Sequence, residues 1–499
     1  MTLISRRSFV GWTAAAAAAK PAFARADPVS AMEASLAELA LSDGSMLRYS
    51  LDEVMAVSGI PAISFAAISR YSLASAKAYG TAGNGETAKA TTRSLFQAAS
   101  ISKAVTATGA LALAQRGELS LDDDVNAQLK SWRVPDNAFT AKEKVTLRRL
   151  MSHTAGLNVH GFPGYATDAP RPSVAQILDG IATANTEPVR VVFEPGSRQE
   201  YSGGGITIEQ LMITDVTGQA FDALMADTVL GPMGMTNSTF AQPLPADKTS
   251  LAVAGTKFDG TMVPGRWHIY PEMAAAGLWT TPTDLARFAV ATATSRLGKS
   301  NPVLSVATMD QMFRKVPNGD MLGFFSDEKN PAVFQHNGGN AGYRSLLIMD
   351  GVSGDGMTVM TNADSGWGLM ELMIRRIGTL SGWAYDFGGP ARAVWLVAIT
   401  HGADVALSHF EAVRASAQED DLNQAGRILL ETGHADDAIK LYRRNVEVYP
   451  QSGNVYDSLA WAYEVVGDKA QAIANYRLSL ERNPENENAR GRLKVLDQG

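Results

Sequence analysis

The chain has 499 residues, of which 45% are hydrophobic and 19% are charged, and these proportions are typical of a folded protein with two or more domains. The formal charge is −7 and no long basic run is present, so the composition argues against nucleic-acid binding. The sequence contains no cysteine. Disulfides, thiolate metal sites, a lipoprotein anchor and cysteine catalysis are therefore excluded.

The first 26 residues have the pattern of an export signal. Arg6 and Arg7 precede a short apolar run over residues 10–19, and residues 24–26 (Ala-Arg-Ala) supply small residues at a cleavage position. The arginine pair followed by Ser-Phe resembles a twin-arginine signal. The apolar run is too short for a permanent membrane helix, and no other stretch reaches that length. We predict a periplasmic protein whose mature form has no membrane span; the alternative is a disordered or amphipathic leader.

Strands and helices are mixed between residues 27 and 385, within a predicted hydrolase domain of residues 27–387. The residue pattern predicts a helix over residues 47–57, a strand over 60–68, a helix over 100–116, strands over 346–349 and 357–360 joined by a turn, and a helix over 369–380. Strands at both ends with helices between them indicate an antiparallel sheet flanked by helices, an α+β fold.

Residues 100–103, Ser-Ile-Ser-Lys, carry the strongest chemical signal. On the first turn of a helix, Ser100 and Lys103 share a face, so the amine lies beside the hydroxyl. A serine hydroxyl is a poor nucleophile until a base takes its proton, and a lysine acts as that base only when its surroundings lower its pKa. The helix N-terminus adds free N–H groups and partial positive charge. The four residues thus combine a nucleophile, a base and part of an oxyanion hole.

Ser-x-x-Lys is a weak signal by itself, because a second copy occurs at residues 326–329. That copy has two acidic residues between its ends and follows Gly-Phe-Phe. We predict that it is a solvated loop or turn without a catalytic role.

Five separated stretches strengthen the case for Ser100. They are residues 100–103 (Ser-Ile-Ser-Lys), 151–157 (Met-Ser-His-Thr-Ala-Gly-Leu), 201–205 (Tyr-Ser-Gly-Gly-Gly), 276–285 (Ala-Gly-Leu-Trp-Thr-Thr-Pro-Thr-Asp-Leu) and 336–343 (His-Asn-Gly-Gly-Asn-Ala-Gly-Tyr). In this order and at these distances they resemble the serine β-lactamase and penicillin-binding superfamily. The branch they resemble contains class C β-lactamases, D-peptidases and related esterases. The resemblance covers nearly all of residues 27–385.

The resemblance implies a role for each matching residue. Ser100 would be the acylated nucleophile, and Lys103 would help to remove its proton. Tyr201, at the position of the family's Tyr-x-Asn motif, would act as general base and acid. Whether Lys103 or Tyr201 is the main base stays open. The chemistry needs no cofactor and no metal.

A second group of implied residues lies on a strand that should line the cleft opposite the Ser100 helix. His336, Asn337 and Gly338 occupy the place of the family's Lys-Thr-Gly motif or its histidine variant. The N–H groups of Ser100 and Gly339 would form the oxyanion hole, which stabilises charge that develops in the transition state.

Two positions depart from the family pattern. Gly203 replaces the asparagine that holds the amide side chain of the substrate, and His336 replaces a lysine that supports carboxylate recognition. A histidine is only partly charged at neutral pH. Both changes weaken features suited to penicillins and D-Ala-D-Ala peptides, whereas the serine–lysine–tyrosine set is complete.

Several other conspicuous residues are predicted to be structural. His153 and His160 lack the context of a zinc helix, and we expect His153 to fix a loop through a hydrogen bond. Trp279 and Asp284 are expected to brace a turn and to cap the helix after Pro282. Tyr343 either lines the cleft or packs in the core, and the sequence does not separate these alternatives.

The C-terminal region contains an internal repeat. Gly433, Ala438, Tyr442 and Pro450 recur as Gly467, Ala472, Tyr476 and Pro484, each 34 residues later. This period resembles tetratricopeptide repeats, in which stacked helical hairpins bury a common face. We predict a linker at residues 386–390 and an all-α repeat domain over residues 391–499 that offers a surface to a protein partner. The alternative is an ordinary helical bundle.

The sequence therefore predicts an exported serine hydrolase that cleaves an ester, an amide or a β-lactam in a small-molecule or peptide substrate through an acyl-enzyme on Ser100. A dedicated class C-like β-lactamase or D-Ala-D-Ala carboxypeptidase is the alternative within this class. A non-catalytic scaffold that acts through the helical repeats is the alternative from another class.

Overall fold

The computed structural model describes residues 27–181, 183–383 and 389–498. The predicted export signal and residues 386–388 of the predicted linker lie outside these ranges. None of the helices within them combines the length and apolarity that a membrane crossing requires.

The centre of the fold is a six-stranded antiparallel sheet. Its strands follow the order β4-β3-β10-β9-β8-β7, and two further pairs, β1-β2 and β5-β6, lie outside it. The strands are β1 (Ala37–Ala40), β2 (Met46–Tyr49), β3 (Ala62–Ser69), β4 (Ser72–Gly80), β5 (Phe96–Gln97), β6 (Trp279–Thr280), β7 (Phe325–Ser326), β8 (Val333–Asn340), β9 (Tyr343–Asp350) and β10 (Gly356–Thr361).

Helices flank the sheet and fill the C-terminal region. They are α1 (Pro28–Ala34), α2 (Leu51–Val57), α3 (Ile101–Gln115), α4 (Leu147–Met151), α5 (Val174–Asp179), α6 (Gly203–Thr217), α7 (Phe221–Met225), α8 (Ala246–Thr249), α9 (Met273–Ala276), α10 (Pro282–Arg296), α11 (Val306–Phe313), α12 (Gly366–Ser381), α13 (Val394–His401), α14 (Ala403–Val413), α15 (Glu419–Glu431), α16 (Ala435–Val448), α17 (Gly453–Val465), α18 (Lys469–Arg482) and α19 (Glu487–Gln498). The predicted α+β sheet followed by an all-α region is confirmed.

The sheet separates two hydrophobic cores. Side chains alternate between the two faces of a strand. Ala66 of β3 and Met360 of β10 enter a core that also contains α3, α6 and α10. Phe65 and Val359, their neighbours along the strands, enter a second core formed with α1, α2, α12 and the C-terminal helices. The C-terminal region therefore packs on the back of the sheet, and α3, the helix that follows Ser100, lies on its front.

Most of the predicted elements of the sheet domain are confirmed, but the helix over residues 47–57 is partly wrong. Residues 47–49 belong to β2, which pairs with β1. The helix begins after Ser50, whose hydroxyl accepts the backbone N–H of Glu53 while the Glu53 carboxylate accepts that of Ser50. This capping box stops the helix from extending backwards, and a strand pairing that is not visible in the local pattern takes the preceding residues.

The C-terminal repeat positions have equivalent structures. Gly433 and Gly467 follow α15 and α17 with φ of 85° and 81°, a left-handed conformation that favours glycine. Tyr442 and Tyr476, on the second helix of each hairpin, are both buried. The 34-residue period thus corresponds to two helical hairpins, α15–α16 and α17–α18.

Candidate active site

A tight turn between β5 and α3 presents Ser100. Ala99, just before it, has a positive φ of 47°, which is unusual for a residue other than glycine. Hydrogen bonds hold the turn: the Ala98 N–H donates to the Leu278 carbonyl at 2.8 Å, and the Ser345 hydroxyl donates to the Ala98 carbonyl at 2.7 Å. Ser100 is then the N-cap residue of α3, and its side chain makes no capping hydrogen bond. The hydroxyl is therefore free for chemistry at a helix N-terminus.

Lys103 lies one turn further along α3 and is almost fully buried, with 3% of its surface exposed. Its Nζ lies 2.9 Å from Ser100 Oγ and 2.6 Å from the carbonyl oxygen of Ala275 in α9. The carbonyl can only accept, so it fixes one N–H of the amine and orients the rest of the group toward the serine. The predicted serine–lysine contact is present.

The Tyr201 ring lies between two imidazoles. The ring centroid of His153 is 4.3 Å away and that of His160 is 4.7 Å away. Lys103 Nζ lies 5.1 Å from the Tyr201 centroid, in cation–π range. Within the described part of the chain, the Tyr201 hydroxyl makes no hydrogen bond with Ser100 or Lys103. The ring of Tyr201, rather than its hydroxyl, therefore makes the contact with Lys103 beside Ser100.

His153 helps to position Tyr201. It is buried, and its Nδ1 lies 3.3 Å from the backbone nitrogen of Ser202, whose N–H it accepts. Burial, followed by the charge of Lys103, lowers the pKa of His153 well below its ordinary value. The predicted hydrogen bond that fixes the loop is confirmed, and it holds the residue next to Tyr201.

Strand β8 forms the opposite side of the site. Its side chains alternate: His336 and Gly338 are buried, whereas Asn337 and Gly339 are exposed. A Cβ on Gly338 would lie 2.2 Å from the Ala98 carbonyl oxygen and 2.9 Å from the Ser100 nitrogen. Only glycine allows this close approach between β8 and the turn that presents Ser100.

His336 is a neutral imidazole of defined tautomer. Its Nδ1 lies 2.6 Å from the carbonyl oxygen of Asn337, and because a carbonyl only accepts, Nδ1 carries the proton. Its Nε2 is buried and has no hydrogen-bond partner among the described residues. Burial, then the charge of Lys103, lowers the pKa of His336 to about 3. His336 therefore does not replace the positive charge of the lysine expected at this position.

One cleft of about 1110 Å³ brings the predicted residues together. Ser100, Tyr201 and residues 336–339 line it, and Lys103 lies behind Ser100. The cleft wall also contains His160, which the sequence predicts to be structural, and residues outside the motifs: Glu200, His268, Phe325, Arg344, Asp364 and Trp367. The last motif ends at residue 343, and Arg344 is the next residue. This adjacency is the sequence signal that could have identified Arg344 as a cleft residue.

The structure answers two predictions for residues near this site. Tyr343 is fully buried, and its hydroxyl donates to the Val253 carbonyl at 2.6 Å, so it packs in the core and does not line the cleft. Ser326 ends the short strand β7, and Asp327 accepts the backbone N–H groups of Lys329 and Asn330 in the turn that follows. The second Ser-x-x-Lys copy is a turn, as predicted.

The predicted capping role of Asp284 is wrong. Thr281 is the N-cap of α10, and its hydroxyl accepts the Asp284 N–H at 3.2 Å. The Asp284 carboxylate instead accepts the backbone N–H of Asn237 and the hydroxyl of Ser238, each at 2.8 Å. Asp284 lies inside the first turn of α10, three residues after the N-cap position, and its buried carboxylate braces a neighbouring loop. Trp279 pairs through β6 with β5, directly before the Ser100 turn.

The fold and the motifs agree with the comparison to known proteins. Residues 48–378 match the Beta-lactamase family, so the chain belongs to this family. Protein flp of Staphylococcus aureus (strain N315) is 25% identical over 313 residues, which are 58% of this chain and 57% of the relative. Penicillin-binding protein 4 of Amycolatopsis lactamdurans is 29% identical over 221 residues, 42% of this chain and 54% of the relative. The chain thus spans just over half the length of these curated relatives.

Solved structures show the same fold. The octameric penicillin-binding protein homologue from Pyrococcus abyssi superposes with a TM-score of 0.53 at 21% identity, over 66% of this chain and 76% of that protein. The β-lactamase/D-alanine carboxypeptidase from Yersinia pestis, complexed with citrate, gives a TM-score of 0.50 at 18% identity, over 66% of this chain and 96% of that protein.

Proposed function

We propose that this protein is a serine hydrolase that cleaves an ester, amide or β-lactam bond through a covalent acyl-enzyme on Ser100. The observation that carries the proposal is the 2.9 Å contact between the buried amine of Lys103 and the Ser100 hydroxyl, in a cleft large enough for a substrate. An amine buried beside a hydroxyl at a helix N-terminus is an arrangement suited to nucleophilic catalysis.

The reaction has two acyl transfers. Ser100 Oγ attacks the substrate carbonyl carbon, its proton passes to Lys103 or Tyr201, and the N–H groups of Ser100 and Gly339 stabilise the oxyanion. The leaving group departs with a proton and leaves an ester on Ser100. Water then attacks this ester, and the acid product and free Ser100 are released.

The cleft favours an esterase or peptidase over a dedicated β-lactamase. A Cβ on Gly203 would lie 3.0 Å from the His160 carbonyl oxygen and from the Phe162 ring, so a side chain such as the family's asparagine would be crowded there and would require these neighbours to shift. His336 is neutral and cannot attract a substrate carboxylate as a lysine does. The names of the penicillin-binding relative and the carboxypeptidase neighbour keep a D-Ala-D-Ala carboxypeptidase or a β-lactamase as the second candidate.

The domain arrangement in this proposal follows the sequence prediction. Residues 1–26 form a twin-arginine-type signal that directs the chain to the periplasm, residues 27–387 form the hydrolase domain, and residues 391–499 form tetratricopeptide-like repeats. A groove of about 580 Å³ on the helical region, lined by Asn423, Trp461 and Arg492 among others, supports binding of a protein partner there. A scaffold without catalysis is the alternative from another class.

The decisive experiment compares the mature protein with Ser100→Ala and Lys103→Met on a short-chain nitrophenyl ester and on a chromogenic cephalosporin. Loss of ester hydrolysis by about 10²-fold or more in both variants supports the proposal. Lys315→Met, at an exposed position, is the matched control and should retain activity. Equal turnover by Ser100→Ala contradicts the proposal. Ser100-dependent preference for the cephalosporin selects the β-lactamase alternative.

A further inference from the structure

The cleft contains one fixed cation whose hydrogen-bonding capacity is only partly used. Among the described residues that line the cleft, Arg344 is the only lysine or arginine. All hydrogen bonds that the structure shows for its guanidinium leave from Nη1, to the carbonyl oxygens of Asn340 at 2.9 Å and Tyr343 at 2.8 Å. Nη1 also lies 2.9 Å from Asp364 Oδ1. Nε is buried without a partner in the described part of the chain.

The position of this guanidinium relates it to the acyl group of the substrate. Arg344 of β9 is paired with Gly339 of β8, and a Cβ on Gly339 would lie 3.4 Å from Arg344 Nη1. Gly339 is exposed to the cleft, so the guanidinium lies over the exposed side of this residue. In the proposed function the Gly339 N–H binds the carbonyl oxygen under attack. Because Arg344 and Ser100 line the same cleft, a substituent on the acyl carbon can extend along the cleft toward Arg344.

The charged groups around Arg344 leave part of its guanidinium available to bind an anion. Asp364 and Glu200 are the carboxylates on the cleft wall. Asp364 is committed to Arg344 and to the Gly342 N–H, which it accepts at 2.9 Å, and Glu200 lies toward Arg198 at 3.9 Å. From α15, Glu431 attracts Arg344 and Arg427 repels it at longer range. An arginine has five N–H donors in a planar fork that matches a carboxylate, and here Nη1 alone is anchored.

We propose that Arg344 forms a subsite for a carboxylate on the acyl part of the substrate. The Nη1 anchors hold the guanidinium in place, and the part of the guanidinium that lines the cleft binds the anion. His336 contributes no positive charge, so anion recognition moves from the position of the family's lysine to the acyl side of the site. The natural substrate is therefore an acyl compound with an acidic substituent. This inference rests on the proposed serine hydrolase function.

The test uses two esters with six-carbon acyl chains, mono-(4-nitrophenyl) adipate and 4-nitrophenyl hexanoate, with spontaneous hydrolysis subtracted. The wild-type protein should show kcat/KM at least about tenfold higher for the adipate ester, as one charge-assisted hydrogen bond allows. The preference should fall with added salt. Ser100-dependent hydrolysis with no adipate preference overturns the subsite, whereas hydrolysis that persists in Ser100→Ala overturns the proposed function instead.

Two variants with opposite effects separate recognition from folding. Arg344→Gln should reduce the adipate-to-hexanoate ratio of kcat/KM by about tenfold or more. Asp364→Asn keeps an acceptor for Gly342 but removes the competing charge, so it should increase the ratio. A variant that merely damages the fold lowers both rates together. An unchanged ratio in Asp364→Asn, or a ratio that falls in it, contradicts the proposal even if Arg344→Gln does not fold.

Discussion

A methyl group on Gly338 would lie 2.2 Å from the carbonyl oxygen of Ala98 and 2.6 Å from Ser345 Oγ. The carbonyl is already fixed by the Ser345 hydroxyl. The strand and the turn that presents Ser100 are thus in direct backbone contact. Because neither side of this contact is the flexible end of a side chain, an added methyl must separate β8 from the Ser100 turn.

We therefore expect Gly338→Ala to lose most of its activity. Overpacking of this kind costs about 1–3 kcal/mol of folding free energy, and misplacement of the oxyanion donors costs further activity. The measurement is kcat/KM on the nitrophenyl ester together with the thermal midpoint. Gly339→Ala is the matched neighbour: its Cβ would meet nothing closer than Arg344 Nη1 at 3.4 Å, so its loss should be much smaller. Equal losses in the two variants contradict this explanation.

Burial of a neutral His336 should make stability depend on pH. The folded-state pKa is about 3 against an ordinary 6.5, so the unfolded chain binds the extra proton and the stabilising contribution is lost as pH falls from about 6.5 toward 3. As the pH falls from 7 to 5, the titration of His336 should lower the free energy of unfolding by about 2 kcal/mol. Urea unfolding of wild type and His336→Gln at both pH values measures the difference. Parallel changes in the two proteins contradict a buried neutral imidazole.

Glu209 should have the opposite dependence. It lies on α6, fully buried, and neither carboxyl oxygen has a hydrogen-bond partner in the described part of the chain. Burial raises its pKa to about 8, against the opposing effect of Lys103. The folded state therefore retains a proton that the unfolded chain releases, and stability is lost as pH rises from about 4.5 to 8.

Replacement of Glu209 by glutamine removes this titration. As the pH rises from 6 to 8.5, the free energy of unfolding of Glu209→Gln should increase by about 2–3 kcal/mol relative to that of wild type. Urea unfolding at the two pH values provides the measurement. Exposed Glu118→Gln serves as the control and should show no such change. A constant difference between wild type and Glu209→Gln across this range would show that the buried carboxyl is ionised throughout.

The sequence predicts the parts of the site that are local or that belong to a motif. Ser100 and Lys103 are one helical turn apart, so their contact follows from helix geometry alone. The strand character of residues 346–349 follows from an apolar run next to a turn. The motif order also places Tyr201 and His336 in one cleft, because the family resemblance carries long-range information that the individual residues do not.

What the sequence could not predict depends on long-range burial. The tautomer of His336 is set by the adjacent Asn337 carbonyl and by the loss of solvent, neither of which is encoded in the motif. Residues 47–49 pair with a strand that begins ten residues earlier, and this competes with their helical pattern. Arg344 directly follows the last motif, but its place in the cleft depends on a partner across the strand pair, Gly339, which has no side chain.

The C-terminal helices share a core with the back of the sheet, so we expect the sheet region to depend on them for folding. At the centre of this contact, the Trp395 indole of α13 lies against Gly368 of α12, where a Cβ would be 2.4 Å from the ring. The Tyr49 hydroxyl also lies 2.8 Å from Thr400 Oγ1. Removal of residues 391–499 should therefore leave an insoluble or unfolded protein and cannot be used to isolate the hydrolase.

A point substitution tests the same contact in the whole chain. Gly368→Ala should destabilise the protein by about 1–3 kcal/mol, since the methyl displaces a large buried ring. Gly491→Ala, on α19 with open space at its Cβ, is the control and should be neutral or stabilising by up to about 1 kcal/mol. Thermal unfolding and ester hydrolysis are measured on both. If Gly368→Ala matches the control, or if the protein without residues 391–499 folds and hydrolyses the ester normally, the helices are a separable appendage and the shared core contributes little.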